Sequence, residues 1–182
     1  MVMGLTVPRF STADLEQFPT DGQRYELLDG LLLVTPAPSE RHQLIAARLL
    51  VGLSRHLEAQ PRIRVVGPGV IARDPHTQLQ PDLLVYEPSG PAETDWRGPR
   101  TLWLAIEIFS RSSKVYDRMF KRGAYLALGV AEVWLVDPRE RAIYVSRPSG
   151  PDEERVTGTL RWRLAATETP LELDVNGLFS EP

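Results

Sequence analysis

Cysteine is absent from the 182 residues, which excludes a disulfide framework, a thiolate nucleophile and any zinc site built on sulfur. Histidine is scarce: His42, His56 and His76 are the full set, and no two have the four-residue spacing of a helical metal pair. No apolar run approaches the roughly 18 residues of a membrane span. The start Met1-Val2-Met3-Gly4 lacks the basic-then-apolar layout of a secretory signal, so a cytoplasmic protein with no membrane partner is expected. There is no Gly-rich phosphate loop with its lysine and no Gly-x-Ser-x-Gly elbow, which disfavours P-loop nucleotide hydrolysis and serine-hydrolase chemistry. An excess of positive charge is also lacking. The net charge of -3 argues against non-specific coating of nucleic acid but leaves room for a local basic groove around an acidic metal site. Lysine occurs only as Lys114 and Lys121, against 19 arginines, so each lysine marks a position where arginine was not used.

What is present is average for a globular chain. With 42% hydrophobic and 25% charged residues, one domain over 1–182 with a sizeable core is expected. Ser11 to Phe18 reads as a short capped helix stopped by Pro19. Asp29-Gly30 between Tyr25-Glu26-Leu27-Leu28 and Leu31-Leu32-Leu33-Val34 predicts a two-residue hairpin. Ser39 caps a helix to about Glu58, with Ile45, Leu49, Leu53 and Leu57 on one face. Three strands follow, around 63–66, 69–72 and 82–86, with Asp74-Pro75-His76-Thr77 read as a polar turn. Residues 101–109 form an almost unbroken apolar run, as in a central strand covered on both faces. A helix from Ser112 or Ser113 to about Leu128 ends at Gly129. A hairpin through Asp137-Pro138 and two short strand-like runs, around 160–164 and 171–175, complete the chain. This order gives a mixed sheet with helices against it, an α/β or α+β arrangement.

Two acids stand out. Asp82 opens an apolar strand and Glu107 lies inside the most hydrophobic one. A lone buried carboxylate costs several kcal/mol unless it is paired, hydrogen-bonded or metal-bound. Arginine could satisfy each of them singly. Two acids on successive strands could instead reach one ion, and a hard divalent cation takes such oxygens. On the following helix Lys114, Asp117, Arg118 and Lys121 share one face at three- and four-residue spacings, with Tyr116, Phe120 and Ala127 on the other. That face is either solvated, with an Asp117-Lys121 ion pair, or it turns Lys121 back over the Glu107 strand to orient a water or meet phosphate charge. Glu26 is an exposed strand residue or a further ligand. His42 reads first as a capping or packing residue.

Taken together, Tyr25-Glu26-Leu27-Leu28-Asp29-Gly30, Pro36, His42, Pro81-Asp82-Leu83-Leu84-Val85, Ile106-Glu107-Ile108-Phe109-Ser110, Asp117, Lys121, Tyr125 and the segment Gly129 to Pro138 resemble the Uma-type family of putative restriction endonucleases, over about residues 24–144. That family lies in the PD-(D/E)XK nuclease superfamily. The resemblance implies a restriction-endonuclease-like fold, a central mixed β-sheet flanked by α-helices, and Mg²⁺-dependent hydrolysis of phosphodiester bonds in nucleic acid, DNA first, with Mn²⁺ as substitute. It implies Asp82, Glu107 and the Ile108 carbonyl as metal ligands and Glu26 as the candidate ligand of a second ion. The superfamily's usual lysine would fall at Phe109, which cannot serve; Lys121 matches the family's displaced lysine. His42 and Asp117 are accessory candidates without an assigned role, and Arg111 stands where the family commonly has proline. Cutting two strands needs two sites, so a homodimer is compatible. Two other classes compete: a catalytically silent nucleic-acid- or partner-binding module that keeps the fold, and a domain in which Glu107 and Lys121 form a purely structural buried pair.

Overall fold

The computed structural model describes residues 8–90, 96, 98–110, 120–149, 153–164 and 167–180. The first hairpin shows how local chemistry sets the frame. Asp29 (φ 49°) and Gly30 (φ 79°) occupy the left-handed region that a two-residue turn requires. They join strand β1 (Arg24–Leu28) to β2 (Leu31–Thr35) in register from Arg24–Thr35 to Leu28–Leu31. Ahead of it, Ser11 and Asp14 make a reciprocal capping box for helix α1 (Thr12–Leu15). Helix α2 (Glu40–His56) starts where the Ser39 hydroxyl accepts the His42 N–H. Its expected stripe, Ile45, Leu49, Leu53 and Leu57, is buried.

The strands after α2 fall into three sheets. Strands β4 (Ile71–Asp74) and β5 (Thr77–Leu79) complete a four-stranded sheet ordered β2-β1-β5-β4. A six-stranded sheet runs β10-β9-β8-β7-β6-β3. It comprises β3 (Arg64–Val66), β6 (Leu83–Pro88), β7 (Arg100–Ile108), β8 (Glu132–Asp137), β9 (Ala142–Ser146) and β10 (Glu154–Val156). Its β7–β8 pair is parallel and the others antiparallel, so it is the mixed sheet the sequence calls for. Helix α3 (Arg122–Ala127) lies between the two parallel strands in sequence, ending at Leu128 with Gly129 at φ 89°. The chain closes with the β11 (Thr159–Trp162)–β12 (Leu171–Asp174) pair and a short helix α4 (Val175–Leu178).

Both faces of the large sheet are apolar, which is why β7 and β8 read as unbroken hydrophobic runs. On one face Leu104, Ile106, Trp134 and Val136 pack with Ile45, Leu49 and Leu53 of α2 and with Trp162 and Phe179. On the other, Ala105, Val133 and Leu135 pack with Phe109, Tyr125 and Val130. Leu83 belongs to the first cluster and Leu84 to the second, so alternation puts Asp82 on the face covered by Tyr125. The β6–β7 register, Leu83 opposite Ile106, brings Asp82 opposite Glu107 one step further along. Gly67 presses against this point. A Cβ there would stand 2.7 Å from the Asp82 carbonyl oxygen and 2.7 Å from a Leu83 methyl carbon. Among the described residues no helix is long and apolar enough to cross a membrane.

Three local readings change. Thr77–Leu79 is a strand rather than the end of a turn, paired to β1 through Leu27–Gln78, and Glu154–Val156 is an edge strand. The run ending at Val175 breaks into a strand and a helix because Asp174 caps the Asn176 N–H. The helix around Lys121 is also rotated from the expected partition. Phe120 is 50% exposed and Ala127 is exposed, whereas Lys121 is 3% exposed and Tyr125 fully buried. Buried carboxylates waiting for the lysine set this phase, not the apolar spacing. Ser112, Ser113, Lys114, Tyr116, Asp117 and Arg118 lie outside the described residues, as does Arg111.

Candidate active site

Each acid arrives from a different element. Glu26 comes from the middle of β1, Asp82 from the entry to β6 and Glu107 from the penultimate position of β7. All three are buried, at 0%, 7% and 2% exposure. Their partners make a connected network. Lys121 Nζ donates to Glu26 Oε2 at 2.6 Å and to Glu107 Oε1 at 3.3 Å. Tyr125, one helical turn beyond, donates its hydroxyl to the same Glu107 oxygen at 2.6 Å. The second Glu26 oxygen accepts the Gln80 N–H at 2.7 Å, tying β1 to the chain just past β5. The site therefore sits where the four-stranded and six-stranded sheets meet.

Asp82 is held from three sides. Arg24 Nη2 donates to Oδ1 at 2.7 Å, while Oδ2 accepts the Ile108 N–H at 2.8 Å and contacts His42 Nε2 at 2.9 Å. An ionised carboxylate can only accept, so Nε2 carries the proton toward Asp82. The other ring nitrogen of His42 is buried and has no hydrogen-bond partner among the described residues. Burial alone would raise the Asp82 carboxyl, but the His42 hydrogen bond, the Arg24 charge and the Ile108 N–H override it and hold the group below its ordinary value. The Arg24 guanidinium is correspondingly raised: burial opposes its charge, and Asp82, Glu107 and Glu26 outweigh that opposition.

Sequence reasoning assigned Glu26, Asp82, Glu107, Lys121, Ile108 and His42 to this region, and the fold brings all six together. Asp117 lies outside the described residues. Phe109 is part of the core, in keeping with its inability to replace a lysine. Arg24 and Tyr125 are additional members not assigned a role from sequence. The signals for them were present: Arg24 is two residues before Glu26 on one strand face, and Tyr125 is four after Lys121 on one helix face. Burial of an acid in a strand is not by itself a sign of chemistry. Glu132 is also buried, but its carboxylate is taken by Trp134 Nε1 at 2.6 Å and Arg147 Nε at 2.7 Å.

A family profile described as "Uma2: Putative restriction endonuclease" matches residues 12–176. The chain belongs to this family. The family match spans all of the site elements, from β1 to α3. No curated protein matches the chain. Among solved structures, it is similar to the crystal structure of a putative nuclease belonging to DUF820 from Anabaena variabilis ATCC 29413, with 21% identity and a TM-score of 0.74. The likeness covers 93% of this chain and 97% of that one and establishes a shared fold.

Asp82 and Glu107 offer carboxylate oxygens, the donor type a hard divalent cation takes. Asp82, Glu107 and Ile108 line one cavity of about 20 Å³, with Lys121, His42 and Arg24 on its walls. Such a volume is room for roughly one water or ion. Among the described residues the three carboxylates face two formal cations, Arg24 and Lys121. Among the described residues no group of three or more His, Asp or Glu side chains is arranged to hold a metal ion, and Arg24 and Lys121 pair with the carboxylates.

Proposed function

We propose that this protein is a metal-dependent nuclease that hydrolyses phosphodiester bonds, with DNA as substrate. The observation that carries this reading is the convergence of Asp82, Glu107 and Lys121 on one small cavity, with Glu26 bonded to the same lysine. Mg²⁺, with Mn²⁺ as substitute, would be held by Asp82, Glu107 and the Ile108 carbonyl, and a second ion would draw on Glu26. When bound, it would supply charge neutralisation on the scissile phosphate and an acidified water.

The remaining work falls to the chain. His42, Arg24 and the Ile108 N–H fix the orientation of Asp82, so that it need not reorganise when a phosphate arrives. Tyr125 does the same for Glu107. Lys121 brings an ammonium between two of the three acids, where it can orient the attacking water and meet the charge that develops on the phosphoryl oxygens. In-line attack of water breaks the P–O3′ bond and leaves a 5′-phosphate and a 3′-hydroxyl. A homodimer would supply the two sites that a double-strand cut needs.

A silent binding module with the same fold draws on one observation, that protein cations face all three carboxylates. Cleavage assays separate the two readings. Plasmid and single-stranded DNA are incubated with Mg²⁺ or Mn²⁺ and wild type, Asp82→Ala or Lys121→Ala, with folding of each variant checked by circular dichroism. The nuclease reading expects cleavage by wild type that a chelator and either substitution abolish. Cleavage that a folded Asp82→Ala variant retains in full would overturn it.

A further inference from the structure

Beside the carboxylate cavity lies a larger one of about 400 Å³, between α1, the start of β1 and the ends of β2 and β5. Arg24, Pro36 and Pro38 line both, so the two cavities share a wall. We propose that this second cavity binds one unpaired nucleobase of the DNA strand whose phosphate lies at Asp82 and Glu107. The inference rests on the nuclease reading and adds the form of substrate the site accepts.

The lining has the chemistry a base needs. Phe18 and Tyr25 stack at 4.9 Å between centroids and 27° between planes, and Phe10 packs edge-on behind Phe18 at 6.0 Å. The Tyr25 hydroxyl is tethered to Asp21 at 2.8 Å, which fixes the ring. An aromatic wall takes any base, because every base has a π-face. Gln78 and Gln80 add carboxamides, each with a donor and an acceptor side by side, the pattern a base edge presents. The Gln78 carboxamide has no hydrogen bond among the described residues, and that of Gln80 makes only a 3.5 Å contact to the Tyr25 carbonyl.

Charge and size point the same way. Among the described residues the lining itself holds no acid and one charged residue, the cation Arg24; the Asp21 carboxylate beside it is tied to the Tyr25 hydroxyl and Gln23. Arg24 uses two of its five N–H donors, on the Gln80 carbonyl and on Asp82. The volume lies near the lower end of small-ligand clefts, about 300–1,000 Å³, which suits one base with its sugar and excludes a duplex. A paired base must leave its stack to enter, so single strands, strand ends and flipped nucleotides are favoured.

The test uses the full chain and fluorescence anisotropy, with Ca²⁺ in place of Mg²⁺. The probes are a single-stranded oligonucleotide, the same strand in a duplex, and an abasic version. The expected result is tighter binding of the single strand than of the duplex, and on the order of tenfold weaker binding of the abasic strand. Phe18→Ala and Gln78→Ala, each confirmed folded by its melting curve, should lose the discrimination between normal and abasic strands. Equal affinity of wild type for normal and abasic strands, or full discrimination in both variants, would overturn the base site. If Asp82-dependent cleavage persists in that case, the nuclease reading stands alone. Base-dependent binding without Asp82-dependent cleavage would keep the base site and overturn the nuclease, and no binding of any strand would overturn both.

Discussion

Replacing Lys121 by methionine keeps the length of the side chain and removes its charge. In the native protein its ammonium lies 2.6 Å from Glu26 and 3.3 Å from Glu107, and the three side chains are each 3% exposed or less. Loss of one partner from a buried pair leaves an uncompensated charge and costs about 3–5 kcal/mol. For a chain of this size each kcal/mol lowers the midpoint by about 2–4 °C, so Lys121→Met should melt about 6–20 °C below wild type. Two further measurements identify the cause. Adding Glu26→Gln removes one of the stranded charges and should recover part of the loss. Mn²⁺ at about a hundred times its dissociation constant adds about 2.7 kcal/mol to a protein that binds it only when folded, and should stabilise Lys121→Met more than wild type because the lysine no longer competes. Thermal and urea unfolding, with and without Mn²⁺, read all three. A loss below about 1 kcal/mol, the range of exposed pairs, would refute the buried bridge and the placement of Lys121 in the site.

Other perturbations test separate parts of the network. Tyr125→Phe removes one hydrogen bond to a buried carboxylate and should cost about 1.5–3 kcal/mol in urea unfolding; an unchanged midpoint would show that the hydroxyl does not reach Glu107. Gly67→Ala places a methyl against the Asp82 carbonyl and should cost about 1–3 kcal/mol by overpacking, whereas a wild-type melting curve would contradict that close approach. The Asp82 carboxyl is held below its ordinary value of 3.8, so its contribution to stability is full above that pH and is lost as pH falls through the lower folded value. Acid titration of unfolding free energy should show this loss in wild type and a shallower decline in Asp82→Asn; parallel curves would contradict the shift.

Much of the scaffold was legible because its signals are local. The Asp29-Gly30 turn, the Ser39 cap and the α2 stripe each decide their own conformation within a few residues. Strand β5 was not, since Thr77–Leu79 is three residues long and owes its state to pairing with β1 and β4. The acids at 82 and 107 were visible as charges in apolar strands, and the β6–β7 register places them opposite one another. The orientation of Lys121 was not readable from apolar spacing, because ion pairing to two acids distant in sequence sets it. Arg24 shares a strand face with Glu26, but among 19 arginines its pairing with Asp82 is set by tertiary contact.

The central claim is that Asp82 and Glu107, with the Ile108 carbonyl, hold a divalent metal that drives phosphodiester hydrolysis. Calorimetric titration of Mn²⁺ into wild type and into Glu107→Gln, with DNA cleavage followed on the same preparations, tests it most directly. Saturable binding and cleavage in wild type, both lost in a folded Glu107→Gln variant, are the expected result. Wild type that takes up no Mn²⁺, or a Glu107→Gln variant that binds and cleaves as wild type does, would contradict the account.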